Sequence, residues 1–355
     1  MILYPRARQG QETGLICSKN ALHSSGNGRL KADEVDWIET ATNPALAADR
    51  IAMPHIPAVS VVMGAYNAQR YVAEAIGGIL GQTFADFEFI VVDDGSTDQT
   101  LSIIREFAAR DPRMKVLQIP HGGIVDAANV GLQQAQAELI ARADADDVSL
   151  PQRFEKQVRY LAENPEVICV GSRLLLIEPY GAVVGESRHK LTHDDIDAEL
   201  LQGSGWSMPQ PAAMIRKAAI DKVGGYRNEY LWSEDLDLFL RLAEVGRLAN
   251  LPDILVKYRN HPGSTNHRRP RIQAELSRKC VIETYQRRGL PVPPDMKLMS
   301  VAHHGEQASR YLTWAWAALK EKNVRGARRH ALRALRLEPF SLDSWRATYC
   351  ALRGR

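Results

Sequence analysis

The chain has 355 residues, 45% of them hydrophobic and 25% charged, with a formal net charge of +3. This is the balance of a soluble globular protein with room for one large core or two modest ones. No run approaches the length of a membrane span, and Met1 to Gln11 lacks the apolar core of a signal peptide. The four cysteines, Cys17, Cys169, Cys280 and Cys350, are too far apart for metal or redox spacing, which fits a reducing compartment. The expected location is therefore cytoplasmic. Charge is unevenly spread: residues 265–355 hold 19 Lys and Arg against 7 Asp and Glu, and the rest of the chain holds 26 against 35. An acidic body carries a basic tail. Such a tail suits an anionic partner, such as a membrane surface or a polyanionic acceptor, and equally a solvated helical face.

Residues 1–55 are rich in Gly, Ser, Asn and charge, and read as a loosely ordered extension with a short helix at Asp33 to Thr40. At Pro57 the character changes. Ala58 to Met63 is an apolar run suited to a central parallel strand, followed by the loop Gly64-Ala65-Tyr66-Asn67 and a helix from Ala68 to Leu80. Phe87 to Val92 is a second strand, ending at Asp93-Asp94-Gly95-Ser96. Ser96 or Thr97 is placed to cap the next helix, Asp98 to Ala109. Met114 to Ile119 is a third strand, leading to His121-Gly122-Gly123, and Gly123 to Ala137 is a third helix. Glu138 to Ala143 is a fourth strand. This alternation predicts an α/β fold with a parallel sheet covered by helices.

A helix follows Pro151 to about Glu163. Strands at Val167 to Ile177 and Ala182 to Glu186 flank the turn Pro179-Tyr180-Gly181. His193 to Leu201 is helical, Met214 to Arg216 a short strand, and Lys217 to Val223 a helical turn closed by Gly224-Gly225. Glu234 to Val245 is an amphipathic helix. Leu248 to Tyr258 is a strand broken by Pro252, and leads into a polar loop containing His261. Beyond Pro270 the chain reads as helical, with a break at Pro291, Pro293 and Pro294. Helices at His303 to Lys322 and Arg325 to Leu337 resemble one tetratricopeptide-type unit, and a further helix spans Ser341 to Leu352. A single such unit cannot bury its own face, so it has to pack on the body or on a partner.

In open parallel sheets, ligands bind at the carboxyl ends of the strands. Here those ends read Tyr66-Asn67, Asp93-Asp94 and Asp144-Ala145-Asp146-Asp147. Carboxylates this close repel one another and resist burial unless a cation sits among them. A hard divalent metal bridging to a substrate phosphate answers that need. The plainer reading of the last cluster is a solvated acidic turn.

Taken in order, Val59 to Asn67, Val91 to Asp98, Ala141 to Asp147, Pro151 to Gln157, Gly224-Gly225-Tyr226 and Ser233 to Leu238 closely resemble the family 2 inverting glycosyltransferases of GT-A fold. The resemblance covers about residues 57–265. It implies a nucleotide-binding Rossmann-like half and an acceptor half, giving a GT-A domain at 56–268 between the extension and a basic helical region at 269–355. It places Ala65, Tyr66 and Asn67 along the nucleotide. Of Asp93 and Asp94, one would bind base or ribose and the other cap the following helix, with Asp94 favoured for the nucleotide. Asn129 would lie near the donor, although Asp126 and Ala128 stand where relatives carry a basic residue. Asp144 would reach the ribose or the metal's water shell, and Asp146 the metal, Mn2+ or Mg2+, with His261 close by and Asp147 adjacent. Arg142 would form an ion pair with this cluster or reach the diphosphate. Asp235 would be the catalytic base, opening a helix whose N–H groups favour its ionised form. Glu234, Trp232 and Gln210 would lie on the acceptor side, Gln210 standing where relatives often have His.

The implied partners are a nucleotide-diphospho-sugar donor and a saccharide or lipid-linked acceptor, with no nucleic acid. The basic helices would add a peripheral contact with a protein or with the inner face of a membrane. Two other readings compete. A sugar-phosphate nucleotidyltransferase would want a basic, Gly-rich loop after the first strand, and Gly64 to Asn67 carries no such charge. A non-catalytic module working through its helical tail would tolerate loss of Asp146 and Asp235. A dehydrogenase is disfavoured by the absence of Gly-x-Gly-x-x-Gly.

Overall fold

The computed structural model describes residues 55–261, 270–294 and 307–354. The expected extension up to residue 54, with its helix at 33–40, lies outside the described residues. The first half alternates as β1 (Val59–Ala65), α1 (Val72–Leu80), β2 (Phe87–Asp93), α2 (Thr100–Ala108), β3 (Met114–Gln118), α3 (Ile124–Gln134) and β4 (Leu139–Asp144). These four strands pair in parallel in the order β3-β2-β1-β4. Strands β1 and β2 are buried nearly throughout, as strands covered on both faces must be. Successive side chains point to opposite faces. Val62, Ile90 and Val92 therefore pack with Val125 and Leu132 of α3. Val61, Met63, Phe89 and Val91 pack with Val72, Ile76 and Ile79 of α1 and Ile104 of α2.

The second half adds β5 (Val148–Ser149), α4 (Arg153–Glu163), β6 (Val167–Ile177), β7 (Val183–Glu186), α5 (His193–Leu200), β8 (Met214–Arg216), α6 (Lys217–Val223), α7 (Glu234–Leu242) and β9 (Arg247–Arg259). The sheet continues β4-β8-β6-β9-β5, with β7 pairing antiparallel to the far end of β6, at Leu175 to Ile177. It is mixed: β8 runs antiparallel to β4 and β6, whereas β6 and β9 are parallel. The expected break at Pro252 is absent, and β9 is one strand of 13 residues. Its pairing steps from Ser172↔Leu251 to Arg173↔Ile254, so Pro252 and Asp253 bulge out of the ladder. Proline has no N–H to donate, and a bulge puts it where the ladder asks for none.

The expected capping of α2 is also corrected. Asp98, not Ser96 or Thr97, accepts the Thr100 N–H at 2.9 Å. Ser96 and Thr97 face the loop after β1. Ser96 Oγ accepts the Asn67 N–H at 3.0 Å, and the Thr97 N–H donates to Asn67 Oδ1 at 2.8 Å.

Among the described residues four helices follow: α8 (Pro270–Arg287), α9 (Gln307–Lys320), α10 (Val324–Leu337) and α11 (Leu342–Arg353). Helix α8 packs behind α7, where Ser233 and Ser277 share a hydroxyl hydrogen bond at 2.9 Å. Helices α9 to α11 close on small side chains, Ala315, Ala318, Ala327, Ala331, Ala347 and Ala351. Asn323 caps α10 by accepting the Gly326 N–H at 2.9 Å. This bundle packs on the body through Tyr311 and Trp314 against Val184 of β7. Buried His330 of α10 meets buried Glu178 at 2.9 Å.

Candidate active site

Register brings the polar strand ends into line. Ala65 pairs with Asp93, and Gly64 with Asp144, so the ends of β2, β1 and β4 emerge side by side. One wall forms around the loops after β2 and β3. Asp94 is buried, and both its oxygens are used: Oδ1 accepts the Gly122 N–H at 2.7 Å, and Oδ2 lies 3.0 Å from the Gly123 N–H and 2.9 Å from His121 Nδ1. Gly95 makes this approach possible, since it takes φ +66° and a Cβ there would sit 2.8 Å from the His121 nitrogen. His121 in turn stacks on half-exposed Tyr66, with ring centroids 4.0 Å apart. Asp93 accepts the Ser96 N–H at 3.3 Å through Oδ2, and its Oδ1 is buried without a partner among the described residues. Neither acid caps α2, contrary to expectation.

The second group is the turn after β4. Asp146 Oδ2 lies 2.8 Å from His261 Nε2. Arg259, the last residue of β9, holds the turn from beneath. Its backbone N–H donates to Asp147 Oδ1 at 2.7 Å, its Nε to the Asp146 carbonyl at 2.9 Å, and its Nη2 to Glu74 at 2.6 Å. Burial, then repulsion by Asp146, pushes Asp144 up to about 6, with Asp235 adding to the rise and Arg142 opposing it. Burial, then Asp146 and Asp144, also pushes Asp147 well above the usual carboxylate range. Arg142 is buried, donates to the Val62 carbonyl at 3.1 Å and lies over the Tyr226 ring at 5.4 Å. Arg153 is wholly buried, held by Ser149 Oγ at 2.9 Å, Gln157 at 3.1 Å and the Arg142 carbonyl at 2.7 Å. Burial lowers its guanidinium to about 9.

The third group opens α7. Glu234 is buried and accepts the Trp232 N–H at 2.8 Å through Oε2. Trp232 takes φ +85°, a backbone state bulky side chains rarely adopt. Asp235 accepts the Leu236 N–H at 2.7 Å. Burial raises its carboxyl, and burial plus the Asp235 charge pushes Glu234 up to about 8. The groups share one field: Asp235 and Glu234 each interact with Asp144, and half-buried Tyr258 is raised by desolvation and by Asp147, Asp146, Asp144 and Asp235 together.

The turn Gly205–Ser207 closes this side. A Cβ at Gly205 would lie 3.3 and 3.4 Å from the two Asp235 oxygens. Trp206 is substantially exposed, edge-on to Tyr258 at 5.0 Å and tilted on His189 at 5.4 Å. Gln210 is buried, with Oε1 unpartnered among the described residues. Asn129 meets Tyr226, whose ring lies over Arg142. Its amide clamps the Tyr226 backbone in both directions, Nδ2 to O at 2.9 Å and Oδ1 from N at 3.0 Å. Sequence reasoning passed over His121, Tyr71, Arg259, Trp206 and Gly205. Only His121 carried a signal, its place after the third strand. Arg259 and Tyr71 matter through contacts with distant segments, and their rings and guanidinium meet at 4.8 Å.

Among the described residues, no three His, Cys, Asp or Glu side chains converge into a closed metal cage. The open set of Asp144 and Asp146 beside His261, with Asp147 Oδ2 buried and without a partner among the described residues, suits a hard cation that keeps several waters. Such a cation also relieves the repulsion that raises Asp144 and Asp147.

The profile described as Glycosyl transferase family 2 matches residues 60–224. An uncharacterized glycosyltransferase of Haemophilus influenzae is 31% identical over 255 residues, covering 68% of this chain and 78% of that protein. The O-antigen biosynthesis glycosyltransferase WbnJ of Escherichia coli is 33% identical over 211 residues, 58% of this chain and 81% of that protein. Among solved structures, S. aureus TarS 1-349 in complex with UDP-GlcNAc aligns with a TM-score of 0.55 at 19% identity, over 84% of this chain and 92% of that one. The mannosyltransferase PcManGT from Pyrobaculum calidifontis, in complex with GDP-Man and Mn2+, aligns at 0.51 and 19%, over 85% and 86%. At that identity the two structures speak for the fold, which is GT-A. With motifs, fold and relatives in agreement, the chain belongs to glycosyl transferase family 2.

Proposed function

We propose that this glycosyltransferase moves a sugar, with inversion, from a nucleotide-diphospho-sugar to a hydroxyl of a saccharide or lipid-linked acceptor. The setting would be surface polysaccharide or glycoconjugate synthesis at the cytoplasmic side of a membrane. The observation that carries the reading is the closeness of two carboxylate groups from the two halves of the fold, Asp144 with Asp146 after β4 and Asp235 with Glu234 at the head of α7, which lie within one another's field. The first group is suited to a cation and a diphosphate, and the second to a proton. Relatives named for O-antigen and amylovoran biosynthesis support the polysaccharide setting.

In this reading Ala65, Tyr66 and Asn67 line the nucleotide. Asp94 organises the His121 loop that stacks on Tyr66, and Asp93 offers its unpartnered oxygen to the same wall. Asp144 and Asp146 would hold Mn2+ or Mg2+, with His261 orienting Asp146. When bound, the cation neutralises the diphosphate and makes it a better leaving group. Asp235 takes the proton of the acceptor hydroxyl. That oxygen forms the new bond to the anomeric carbon on the face opposite the breaking bond to the diphosphate. One base and one displacement suffice for inversion. Burial and mutual repulsion raise both Glu234 and Asp235, so the head of α7 resists carrying two negative charges at once. Trp206 and Trp232 offer aromatic faces on the acceptor side.

A thermal-shift panel of UDP-, GDP- and dTDP-sugars with and without Mn2+, with CMP-sugars as the monophosphate control, tests the donor site, because a ligand of the native state raises its melting temperature. The stabilising donor is then offered with saccharide acceptors, and the anomeric configuration of the product is read by NMR. A β-linked product from an α-linked donor is the expected result. Retention of configuration, or a donor site indifferent to every nucleotide-diphospho-sugar, overturns the proposal.

A further inference from the structure

Helix α11 has two unlike faces. Ser344, Ala347, Thr348 and Ala351 are buried. On another side stand Leu342, Trp345, Tyr349 and Leu352, at the three- and four-residue spacing that lines up one side of a helix. They are 86%, 57%, 55% and 57% exposed, and Phe340 in the turn before them is 97% exposed. The Trp345 indole N–H donates to the Pro339 carbonyl at 2.9 Å, which ties this turn to the helix. Apolar side chains scattered singly over a surface need no explanation, but a contiguous stripe of five does.

The surroundings of the stripe are predominantly basic. Between residues 324 and 353 there are seven arginines and two carboxylates. Arg346 and Arg353, both exposed, edge the stripe itself, and the Arg353 guanidinium lies 4.6 Å from the centre of the Tyr349 ring. A second copy meeting this face would set arginine against arginine. An anionic lipid surface meets both needs at once: the leucine and aromatic side chains enter the acyl boundary while the guanidiniums stay at the phosphates. No helix among the described residues is long and apolar enough to cross a membrane, so such attachment lies in the plane of the interface.

We propose that the exposed face of α11, with Phe340 at its leading turn, docks the protein on an anionic lipid bilayer. The inference is independent of the donor and acceptor chemistry proposed above. The full chain is sedimented with phosphatidylcholine vesicles and with vesicles containing phosphatidylglycerol, alongside Leu342→Glu/Trp345→Glu and Arg346→Glu/Arg353→Glu variants. All four positions are solvent-exposed, and the one bond given up is the exposed Trp345–Pro339 hydrogen bond, so both variants should stay folded with melting temperatures close to the parent's, which are measured first. Expected are salt-sensitive binding to the anionic vesicles only, and a loss of about ten-fold or more in each variant. Equal binding to neutral and anionic vesicles, or variants that sediment like the parent, overturns the proposal. So does a dimer, seen by light scattering, that the Leu342→Glu/Trp345→Glu change dissolves while the parent ignores vesicles; in that case a second copy covers the face.

Discussion

Asp235 is the residue on which the proposed chemistry turns. Replacing it with Asn keeps its size and removes its ability to take a proton. General-base catalysis contributes on the order of 10²–10⁴-fold. Asp235→Asn is therefore expected to lower kcat by about that factor while the thermal shift from donor stays, and near-full turnover would remove the base assignment. Gly205 offers a subtler test of the same group. A methyl at this position would meet both Asp235 oxygens at 3.3–3.4 Å, closer than comfortable contact. Gly205→Ala is expected to reduce kcat several-fold with little change in donor KM, because the carboxylate is displaced while the nucleotide wall is untouched. Asp146→Ala should abolish the extra stabilisation that Mn2+ gives to donor binding. The Glu234-Asp235 pair and the acidic turn at 144–147 were legible as residue types in order. Their division of labour was not, since burial and mutual repulsion set it, and both depend on the folded neighbours.

At the scale of elements, strand ends do most of the positioning. The parallel ladder β2-β1-β4 brings Asp93, Ala65 and Asp144 to one edge, and β9 returns to secure the acidic turn through Arg259. Helices α9 to α11 are fastened to the sheet by buried Tyr311 and Trp314 on Val184 and by buried His330 on Glu178, next to Tyr180 with Arg329 at 3.8 Å from its ring. Burial alone would raise the Glu178 carboxyl. The His330 hydrogen bond and the Ala182 and Tyr180 amides outweigh it and hold the group below its usual range. His330→Ala would leave an ionised carboxylate buried without its main partner, a loss on the order of 3 kcal/mol. Denaturant unfolding should show that loss, and limited proteolysis should show earlier cleavage around α10. A midpoint equal to the parent's would mean that the contact carries no stability. Most element identities and their order were readable from periodicity; the two-residue β5 was too short to leave a pattern. The mixed pairing of β8 and the continuity of β9 through Pro252 were not, because strand direction and bulges are settled by which strand lies alongside.

Over the whole molecule, an acidic catalytic body and a basic helical end coexist in a chain of small net charge. Stability should vary with pH through His189, which burial pushes down to about 4 from an ordinary 6.5. Between those values the unfolded chain binds the proton and the folded chain does not. The contribution is therefore complete above about pH 6.5 and is lost as pH falls toward 4. Asp144 and Glu234 have the opposite sign, since their raised carboxyls favour the folded state less as pH rises through their shifted range. The parent alone shows the sum. The difference between parent and His189→Gln isolates the histidine: the variant's melting temperature should fall less between pH 6.5 and 4.5. Parallel curves would show that His189 does not titrate with folding.

What the sequence by itself determined is local. Runs of apolar residues at strand or helix spacing, and polar or acidic residues placed just after three strands, identify the fold class and the chemistry available at the sheet edge, because both are carried by near neighbours in the chain. The tertiary structure decided where each lone pair and each charge goes. It commits both oxygens of Asp94 to the His121 loop and the Asn129 amide to the Tyr226 backbone, and it sets Gly205 against Asp235. These partners lie some 30 to 100 residues apart, and a buried polar group takes whichever partner packing brings within reach. No spacing along the chain encodes that choice.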